Sequence, residues 1–376
     1  MIYNQRDILK IIAKILNCSE DQLYKQSGLS KTLNWDSLNH VIILSTIEEY
    51  LKIKINDEMF SKLLTIGDIV NYLDNYQIEI CIDEGQCNCG TLCFEEKKVE
   101  FKSLDGTNLV GVFCSTKQES KGFILLTHGI PSEKDENGFH RNMAMYFAKN
   151  GYDSFRFDFR YMGESQKGKE EDITIHNLIE DIESAYKIAI SLYARNTSVQ
   201  YVVGTSCGGG VLLKWINDYN HVECISKAFL CCPVLDYVFE SSGINKANIY
   251  EKKDEILCSL EKEGYIKDRD AQYGKSFFLQ SLDFDADLEV KKYGKQLIIY
   301  HGNQDPSVPI SFSEEFANRN YELVDLVVVD WARHGFGVPF FNKAGDRISD
   351  DMRYKIKKRN QSGVIHSIVC SIKGAE

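Results

Sequence analysis

Six short apolar runs, separated by helical stretches, constrain the fold of this chain more than any other feature of its sequence. The runs are FILLT (123–127), SFRFD (154–158), QYVVG (200–204), AFLCC (228–232), QLIIY (296–300) and LVVVD (326–330). Strands that alternate with helices predict a mostly parallel sheet with helices on both faces. The long interval at about 235–292 has charged helical patterns and no clear strand. We expect it to form an inserted cap over the carboxyl end of the sheet.

The first 77 residues follow a different pattern, which predicts a small all-α bundle. Apolar residues have helical spacing at Ile8, Ile11, Ile12 and Ile15, and again, behind the expected N-cap Thr65, at Ile66, Ile69, Val70 and Leu73. Another helix is expected to start at NWDSL, end near Leu51, and turn Leu38, Val41, Ile42 and Ile47 inward. We therefore predict domains at 1–77 and 93–376, joined by a linker at 78–92 that contains Gly85 and Gly90.

Charge and cysteine content exclude several classes of function. The formal net charge of the 376 residues is −11, so nucleic acid and anionic membranes are not expected as partners. The first 17 residues alternate charged with apolar positions, which is typical of neither a signal peptide nor a membrane span, and we expect a cytoplasmic protein with reduced cysteines. Four cysteines crowd the linker but lack paired C-x2-C spacing, so no metal site is predicted: Cys81, Cys87, Cys89 and Cys93.

The segment DSL at residues 36–38 begins the second predicted helix, and Ser37 is expected to be exposed at its positive end. Either Asp36 or Ser37 could simply cap this helix. However, the whole stretch WDSLNHVIILSTIEEYLKIKINDEMFSKLLTIGDIVNYL (35–73) resembles the acyl carrier protein family. The resemblance implies a four-helix carrier domain with 4'-phosphopantetheine on Ser37. It also implies three partners: a phosphopantetheinyl transferase, an acyl-loading enzyme and an acyl thioester substrate.

The segment GTSCG (204–208) follows the run QYVVG and precedes a helical pattern. This is the G-x-S-x-G nucleophile elbow in its strand–turn–helix context, and it predicts Ser206 as a nucleophile. Cys207 is a rival nucleophile. An elbow centred on it would put the β-branched Thr205 in the strained turn, so Ser206 is favoured.

An activated serine needs a base and an orienting acid, which in this fold follow in the order Ser, Asp or Glu, His. Asp305 follows the run QLIIY and His334 follows LVVVD, so we predict the triad Ser206, Asp305 and His334. The N–H groups of Cys207 and Ile130 are the expected oxyanion hole. His128 is then a turn residue.

Residues 97–376 resemble the α/β-hydrolase superfamily, and RFDFRYMGES (156–165) with ARHGF (332–336) is similar to cinnamoyl and feruloyl esterases. This implies a serine hydrolase that acts through an acyl-enzyme. The leading hypothesis is a thioesterase that releases or transfers an acyl group held on phosphopantetheine, since fusion to a carrier raises its local concentration. The alternatives are a carboxylesterase of small esters with the carrier as a delivery module, and a non-catalytic carrier or scaffold protein.

Overall fold

The computed structural model describes residues 5–51, 53, 55, 59, 62–73, 94–192, 199–268, 271–340 and 347–374. The chain divides into two compact units, residues 1–91 and 92–376. The predicted linker at 78–92, its three cysteines and the adjacent Cys93 lie outside the described residues. The predicted domain boundaries within this stretch therefore stay predictions.

The first unit is helical. It contains α1 (Gln5–Leu16), a 3-10 turn (Glu20–Gln22), α2 (Ser37–Leu51) and α3 (residues 66–73). Thr65 is the N-cap of α3: its Oγ1 accepts a hydrogen bond from Asp68 N–H at 3.1 Å, and its own N–H donates to Asp68 Oδ2 at 2.9 Å. The helix implied between Leu51 and Thr65 falls mostly outside the described residues.

The predicted inward face of α2 is wrong at three of its four positions. Ile47 is fully buried as expected, but three residues are 70, 49 and 41% exposed, respectively: Leu38, Val41 and Ile42. The buried residues of this helix are instead His40, Ile43, Leu44, Ile47 and Leu51.

Trp35 explains this rotation of α2. Its indole is buried and donates a hydrogen bond from Nε1 to His40 Nδ1 at 3.0 Å, so His40 must face the core. Each residue turns the helix by about 100°, and Ile43, Leu44 and Ile47 then share the face of His40. The segment has apolar residues on both faces, so periodicity alone does not select the buried one.

The second unit is an α/β domain. Its strands are β1 (Phe94–Lys102), β2 (Asn108–Thr116), β3 (Gly122–Thr127), β4 (Tyr152–Asp158), β5 (Gln200–Thr205), β6 (Ile225–Cys231), β7 (Tyr265–Asp268), β8 (Ala271–Gly274), β9 (Leu297–Gly302) and β10 (Val324–Val329). Its α-helices are α4 (Phe139–Lys149), α5 (Ile175–Leu192), α6 (Cys207–Asp218), α7 (Tyr237–Ser242), α8 (Lys253–Glu263), α9 (Lys275–Asp283), α10 (Ala286–Tyr293), α11 (Ile310–Arg319) and α12 (Asp350–Lys373).

An eight-stranded sheet forms the centre of this unit, in the order β1-β2-β4-β3-β5-β6-β9-β10. The neighbouring strands β4-β3-β5-β6-β9-β10 of this sheet are all parallel. The pairs β1·β2 and β2·β4 are antiparallel. Every residue of β3, β4 and β5 is buried, as expected for strands covered on both faces. The six predicted strands and the mostly parallel sheet are thus confirmed.

The hairpin of β1 and β2 was not predicted from the sequence. Strand β1 reads FEEKKVEFK and has no fully buried residue, because it lies at the edge of the sheet. Charged residues on an edge strand discourage pairing with other chains. They also hide the strand from a search for apolar runs.

The expectation that 235–292 lacks a strand is wrong, because β7 and β8 form an antiparallel hairpin. Strands of four residues are too short to give a clear alternation. The segment divides its packing between two cores. One small cluster joins Val238, Ile249, Leu260 and Phe278, whereas other residues join the main core: Tyr273, Phe277, Phe284, Val290 and Tyr293.

In the described part of the chain, no helix is long and apolar enough to cross a membrane.

Candidate active site

Ser206 lies in the turn between β5 and α6 with φ 52° and ψ −126°. Positive φ is unfavourable for a residue with a side chain and costs about 1–3 kcal/mol, which the surrounding structure must offset. The flanking glycines permit the turn by close backbone approach. A Cβ on Gly204 would lie 2.6 Å from Gly209 Cα, and one on Gly208 would lie 2.3 Å from the His128 carbonyl oxygen.

The start of α6 is held by Tyr237, which the sequence analysis did not identify. The buried Tyr237 hydroxyl donates to the Cys207 carbonyl oxygen and accepts from Val211 N–H at 2.8 Å. Ser206 itself is fixed through its backbone, since its N–H donates to the Cys231 carbonyl at 2.9 Å. The strained turn is therefore anchored on both sides of the serine.

Asp305 and His334 follow β9 and β10, which are parallel neighbours. Their carboxyl ends meet at one edge of the sheet, and His334 Nδ1 lies 2.7 Å from Asp305 Oδ2. The other carboxylate oxygen, Oδ1, accepts from the N–H groups of Ser307 and Val308 at 2.8 and 3.0 Å. These contacts fix the carboxylate and, through it, the ring of His334.

Electrostatics favour charge on this pair. Burial alone would raise the pKa of Asp305, but hydrogen bonds from His301 and His334 outweigh it and hold the pKa well below its usual range. For His334, burial lowers the pKa, whereas the hydrogen bond and negative charge of Asp305 raise it, with a net rise above its ordinary value. Asp305 thus stabilises the imidazolium form of His334.

Ser206 and His334 line one cavity of about 200 Å³, together with Gly129 and Ile130. The turn after β3 packs tightly on the serine, because a Cβ on Gly129 would lie 2.8 Å from Ser206 Cβ and 3.3 Å from Ser206 Oγ. Ile130 follows this glycine directly, and Cys207 follows the serine. The structure therefore gathers Ser206, His334, Ile130 and, through its bond to His334, Asp305.

Glu136 lines this cavity and, like Tyr237, was not identified from the sequence. Its Oε2 accepts a hydrogen bond from Gly129 N–H at 2.9 Å, which holds the glycine turn against Ser206. Burial raises its pKa, although the bonds to Gly129 and Ser132 act in the opposite direction. No local motif marks Glu136, because its role depends on a backbone group seven residues away in a folded turn.

Both ring nitrogens of His128 form hydrogen bonds with the backbone. Nδ1 lies 2.7 Å from the Gly129 carbonyl oxygen, and Nε2 accepts from Phe159 N–H at 3.0 Å. Burial lowers its pKa to about 4, so the ring is neutral, with its proton on Nδ1. His128 therefore holds the turn and has no nitrogen left for acid–base work.

Cys207 is a poor nucleophile in this environment. Its side chain is fully buried in the main core, and burial raises the pKa of its thiol well above the ordinary value. The reactive form of cysteine is the thiolate, which this site disfavours. The rival assignment of Cys207 as the nucleophile therefore has no physical support.

Cys232, Asp305 and His334 are the one group of possible metal ligands that lie within 4.8 Å of one another in the described residues. Burial raises the pKa of the Cys232 thiol well above its ordinary value, whereas a metal ligand must be a thiolate. His334 Nδ1 is also occupied by its hydrogen bond with Asp305. The chemistry of this group favours proton transfer over metal binding.

Ser37 is the first residue of α2, and its side chain is exposed. The helix is capped by its neighbour, since Asp36 Oδ1 accepts from Asn39 N–H at 2.8 Å. Capping therefore does not require the Ser37 hydroxyl. An exposed hydroxyl at the positive end of a helix fits a group that adds a negative phosphodiester.

Two family models match the chain. The one described as a phosphopantetheine attachment site matches residues 6–73, and the one described as the alpha/beta hydrolase fold matches 122–257. The acyl carrier protein of Campylobacter lari is 34% identical over 71 residues, which is 19% of this chain and 92% of that protein. The acyl carrier protein of Helicobacter pylori is 33% identical over 72 residues, again 92% of its length.

Two further comparisons cover more residues than the first unit contains. The quorum-quenching protein AidA of Acinetobacter baumannii is 29% identical over 153 residues, 39% of this chain, and the match spans about half of AidA (47%). The structure of Est1E from Butyrivibrio proteoclasticus with bound ferulic acid superimposes with a TM-score of 0.52 at 18% identity. It covers 72% of this chain and 99% of Est1E, and this likeness establishes the fold.

These findings settle the cofactor and the general partners of the first unit. Its cofactor is covalently attached 4'-phosphopantetheine, and its partners are of the carrier kind, namely acyl thioesters and a phosphopantetheinyl transferase. The chain belongs to the acyl carrier protein family through this unit, which is joined to a domain of the α/β-hydrolase fold.

Proposed function

We propose that the chain is a serine hydrolase that releases or transfers an acyl group from a phosphopantetheine thioester. The observation that carries this proposal is the pair of His334 and Asp305, 2.7 Å apart, with His334 lining the same cavity as the strained Ser206. The carrier unit in the same chain supports a thioester as the substrate, because tethering raises the local concentration of the acyl group.

The roles of the residues follow from their contacts. Because Asp305 occupies His334 Nδ1, Nε2 is the nitrogen that takes the proton of Ser206. Ser206 Oγ then attacks the thioester carbonyl, and the N–H groups of Ile130 and Cys207 stabilise the negative oxygen. The C–S bond breaks, His334 returns the proton to the leaving thiolate, and the acyl group stays on Ser206 as an ester. Water completes hydrolysis with His334 as the base, whereas an amine or alcohol in its place gives transfer.

Ser37 is the proposed attachment residue for the phosphopantetheine of the first unit. The exposed position of Ser37 and the capping of α2 by Asp36 support this. When attached, the group supplies a terminal thiol that holds an acyl chain as a thioester. A phosphopantetheinyl transferase and an acyl-loading enzyme are the partners that this proposal requires, and no step of it needs a metal, nucleic acid or membrane.

The test uses the full chain after modification and loading with a simple acyl group such as acetyl, followed by intact-protein mass spectrometry. We expect the wild type to lose the acyl mass while it retains the phosphopantetheine mass. In Ser206→Ala the acyl mass should persist, because loss of a nucleophile slows such reactions by several orders of magnitude. Ser191→Ala, at an exposed serine on α5, is the matched control and should behave as the wild type. Equal release by Ser206→Ala and wild type would refute the proposal.

The carboxylesterase alternative uses the same triad and differs in its substrate. Fast hydrolysis of soluble aryl esters, together with no release of the loaded acyl group, would favour that alternative. Mixing Ser37→Ala protein with loaded Ser206→Ala protein separates action within one chain from action between chains. Release between chains depends on concentration, whereas release within a chain does not.

A further inference from the structure

A second cavity, of about 360 Å³, lies beside the cavity that contains Ser206, and both are lined by Ser307 and His334. This volume is in the range typical of small-molecule sites, roughly 300–1,000 Å³. One wall is a single face of α12, formed by residues at i, i+3, i+4 and i+7: Asp350, Arg353, Tyr354 and Lys357. The cavity therefore extends along about 10 Å of helix, which suits an extended ligand that reaches His334.

The charge of this cavity is opposite to that of the chain as a whole. Among the described residues, its lining contains the bases Arg333, Arg353 and Lys357 and one acid, Asp350, although the formal net charge of the protein is −11. The cavity at Ser206 instead has the acids Glu136 and Glu240 in its lining. His334 thus lies at the boundary between an acidic cavity and a basic one.

Arg353 is held in a position to bind an anion. Its guanidinium carbon lies 3.7 Å from the centre of the Phe340 ring, and Arg333 approaches the same ring at 5.7 Å. Arg353 Nη1 lies 3.3 Å from Asp350 Oδ1, whereas Nε is buried and has no hydrogen-bond partner within the described ranges. The Arg353 side chain as a whole is 24% exposed and lines the cavity, so an anion there would bind through the terminal nitrogens of the guanidinium rather than through Nε.

In a serine hydrolase the acyl group and the leaving group occupy different sides of the reacting carbonyl. His334, which protonates the leaving sulfur in the proposed mechanism, lines both cavities, so the acyl group can occupy the cavity of Ser206 and Ile130. The leaving group then extends past His334 into the basic cavity. In a phosphopantetheine thioester this leaving group is a long chain that ends in a phosphate ester, the anion that an arginine fork and a lysine recognise best.

We propose that this basic cavity binds the phosphate end of the phosphopantetheine chain of the substrate, through Arg353 and Lys357 with Arg333. The inference rests on the proposed thioesterase function and adds the residues that recognise its leaving group. Arg353 and Lys357 are positioning residues for the thioester, and Ser206 remains the group that attacks it.

Binding is tested by calorimetry on the full-length protein, with 4'-phosphopantetheine and pantetheine as the two probes. We expect 4'-phosphopantetheine to bind the wild type about tenfold tighter or more, because charge-assisted hydrogen bonds reach its phosphate. Arg353→Gln and Lys357→Gln should each reduce this advantage several-fold. Lys355→Gln is the matched control, since Lys355 is an exposed lysine of the same helix outside the cavity lining, and it should keep the full advantage.

Kinetics with acetyl-phosphopantetheine and acetyl-pantetheine give the second readout. The KM for acetyl-phosphopantetheine should be about tenfold lower than that for acetyl-pantetheine in the wild type, and the difference should be smaller in Arg353→Gln. The two substrates should differ little in kcat. The rate at which Arg353→Gln releases the acyl group is also measured for a group on its own carrier unit and for a group on a loaded Ser206→Ala chain. The comparison tells whether the cavity binds the phosphopantetheine of the same chain or that of another chain.

Equal affinity for the two binding probes would overturn the inference, and so would an equal loss in Lys355→Gln, which would indicate a diffuse charge effect. A tenfold gain for succinyl-pantetheine over acetyl-pantetheine, without a gain from phosphate, would assign the cavity to an acidic acyl group instead. Failure of the proposed function gives a different result: the wild type would hydrolyse neither thioester, whatever the binding data show.

Discussion

Ser37 and Ser206 both stand at the start of a helix, yet their surroundings differ in almost every physical respect. Ser37 is exposed, has no unusual backbone conformation, and is followed by a helix that leaves Leu38, Val41 and Ile42 exposed. Ser206 is 6% exposed and has a positive φ. The helix that follows it begins with seven buried residues, Cys207 to Leu213.

Under the proposed roles, Ser37 accepts a group and Ser206 attacks, and the two surroundings fit these different tasks. A modified serine must be reached by another enzyme, so exposure and a favourable helix dipole suffice. An attacking serine needs a base, oxyanion donors and a dry surrounding, and these require a strained turn within a packed core. If both proposals hold, the same residue type serves two chemistries according to what the fold places around it.

The largest expected effect is that the two serine variants lose opposite modifications. Ser37→Ala should lose all the mass gained with a phosphopantetheinyl transferase but keep labelling by an active-site fluorophosphonate. Ser206→Ala should show the reverse, because an unstrained exposed serine lacks a base to activate it. Intact-protein mass spectrometry reads both labels. Phosphopantetheine on Ser37→Ala, or fluorophosphonate on Ser206→Ala, would show that the serines were assigned wrongly.

The next effect concerns the groups that Ser37 lacks. Asp305→Asn should lower kcat/KM on a soluble thioester by about 10²- to 10⁴-fold, since the amide no longer stabilises the imidazolium. The proposed mechanism requires neutral His334, whose pKa is raised by Asp305. In the wild type kcat/KM should therefore rise with pH through a pKa above the ordinary 6.5, and in Asp305→Asn this rise should move to lower pH. A pH profile of kcat/KM measures the shift, and an unchanged profile would contradict the role of Asp305.

The smallest effect sharpens the contrast at the carrier helix. Ile42 and Ile43 are consecutive residues of α2, but Ile42 is 41% exposed and Ile43 is fully buried. Ile43→Ala should lower the free energy of unfolding of the first unit by about 2–5 kcal/mol, and Ile42→Ala by less than about 1 kcal/mol. Denaturant unfolding followed by circular dichroism measures both. Equal losses would mean that Ile42 faces the core as its periodicity first suggested.

Much of this molecule follows from its sequence, for local physical reasons. The six buried strands are visible because a strand covered on both faces must be apolar along its length. The elbow at Ser206 is visible because its pattern of glycines around the serine lies within five consecutive residues, 204–208. The order of Ser206, Asp305 and His334 is visible because parallel strands end at one edge of the sheet. The carrier motif around Ser37 is equally local.

Only the tertiary structure decided the remaining features, because they join residues that are distant in the chain or ambiguous in pattern. Tyr237 holds the carbonyl of Cys207 from 30 positions away, and Arg353 meets His334 across a cavity between a loop and the last helix. The bond from Gly129 to Glu136 depends on the folded turn, and the buried face of α2 depends on Trp35. Periodicity reports which residues are apolar, but packing against the rest of the fold selects which of them are buried and what the exposed ones can bind.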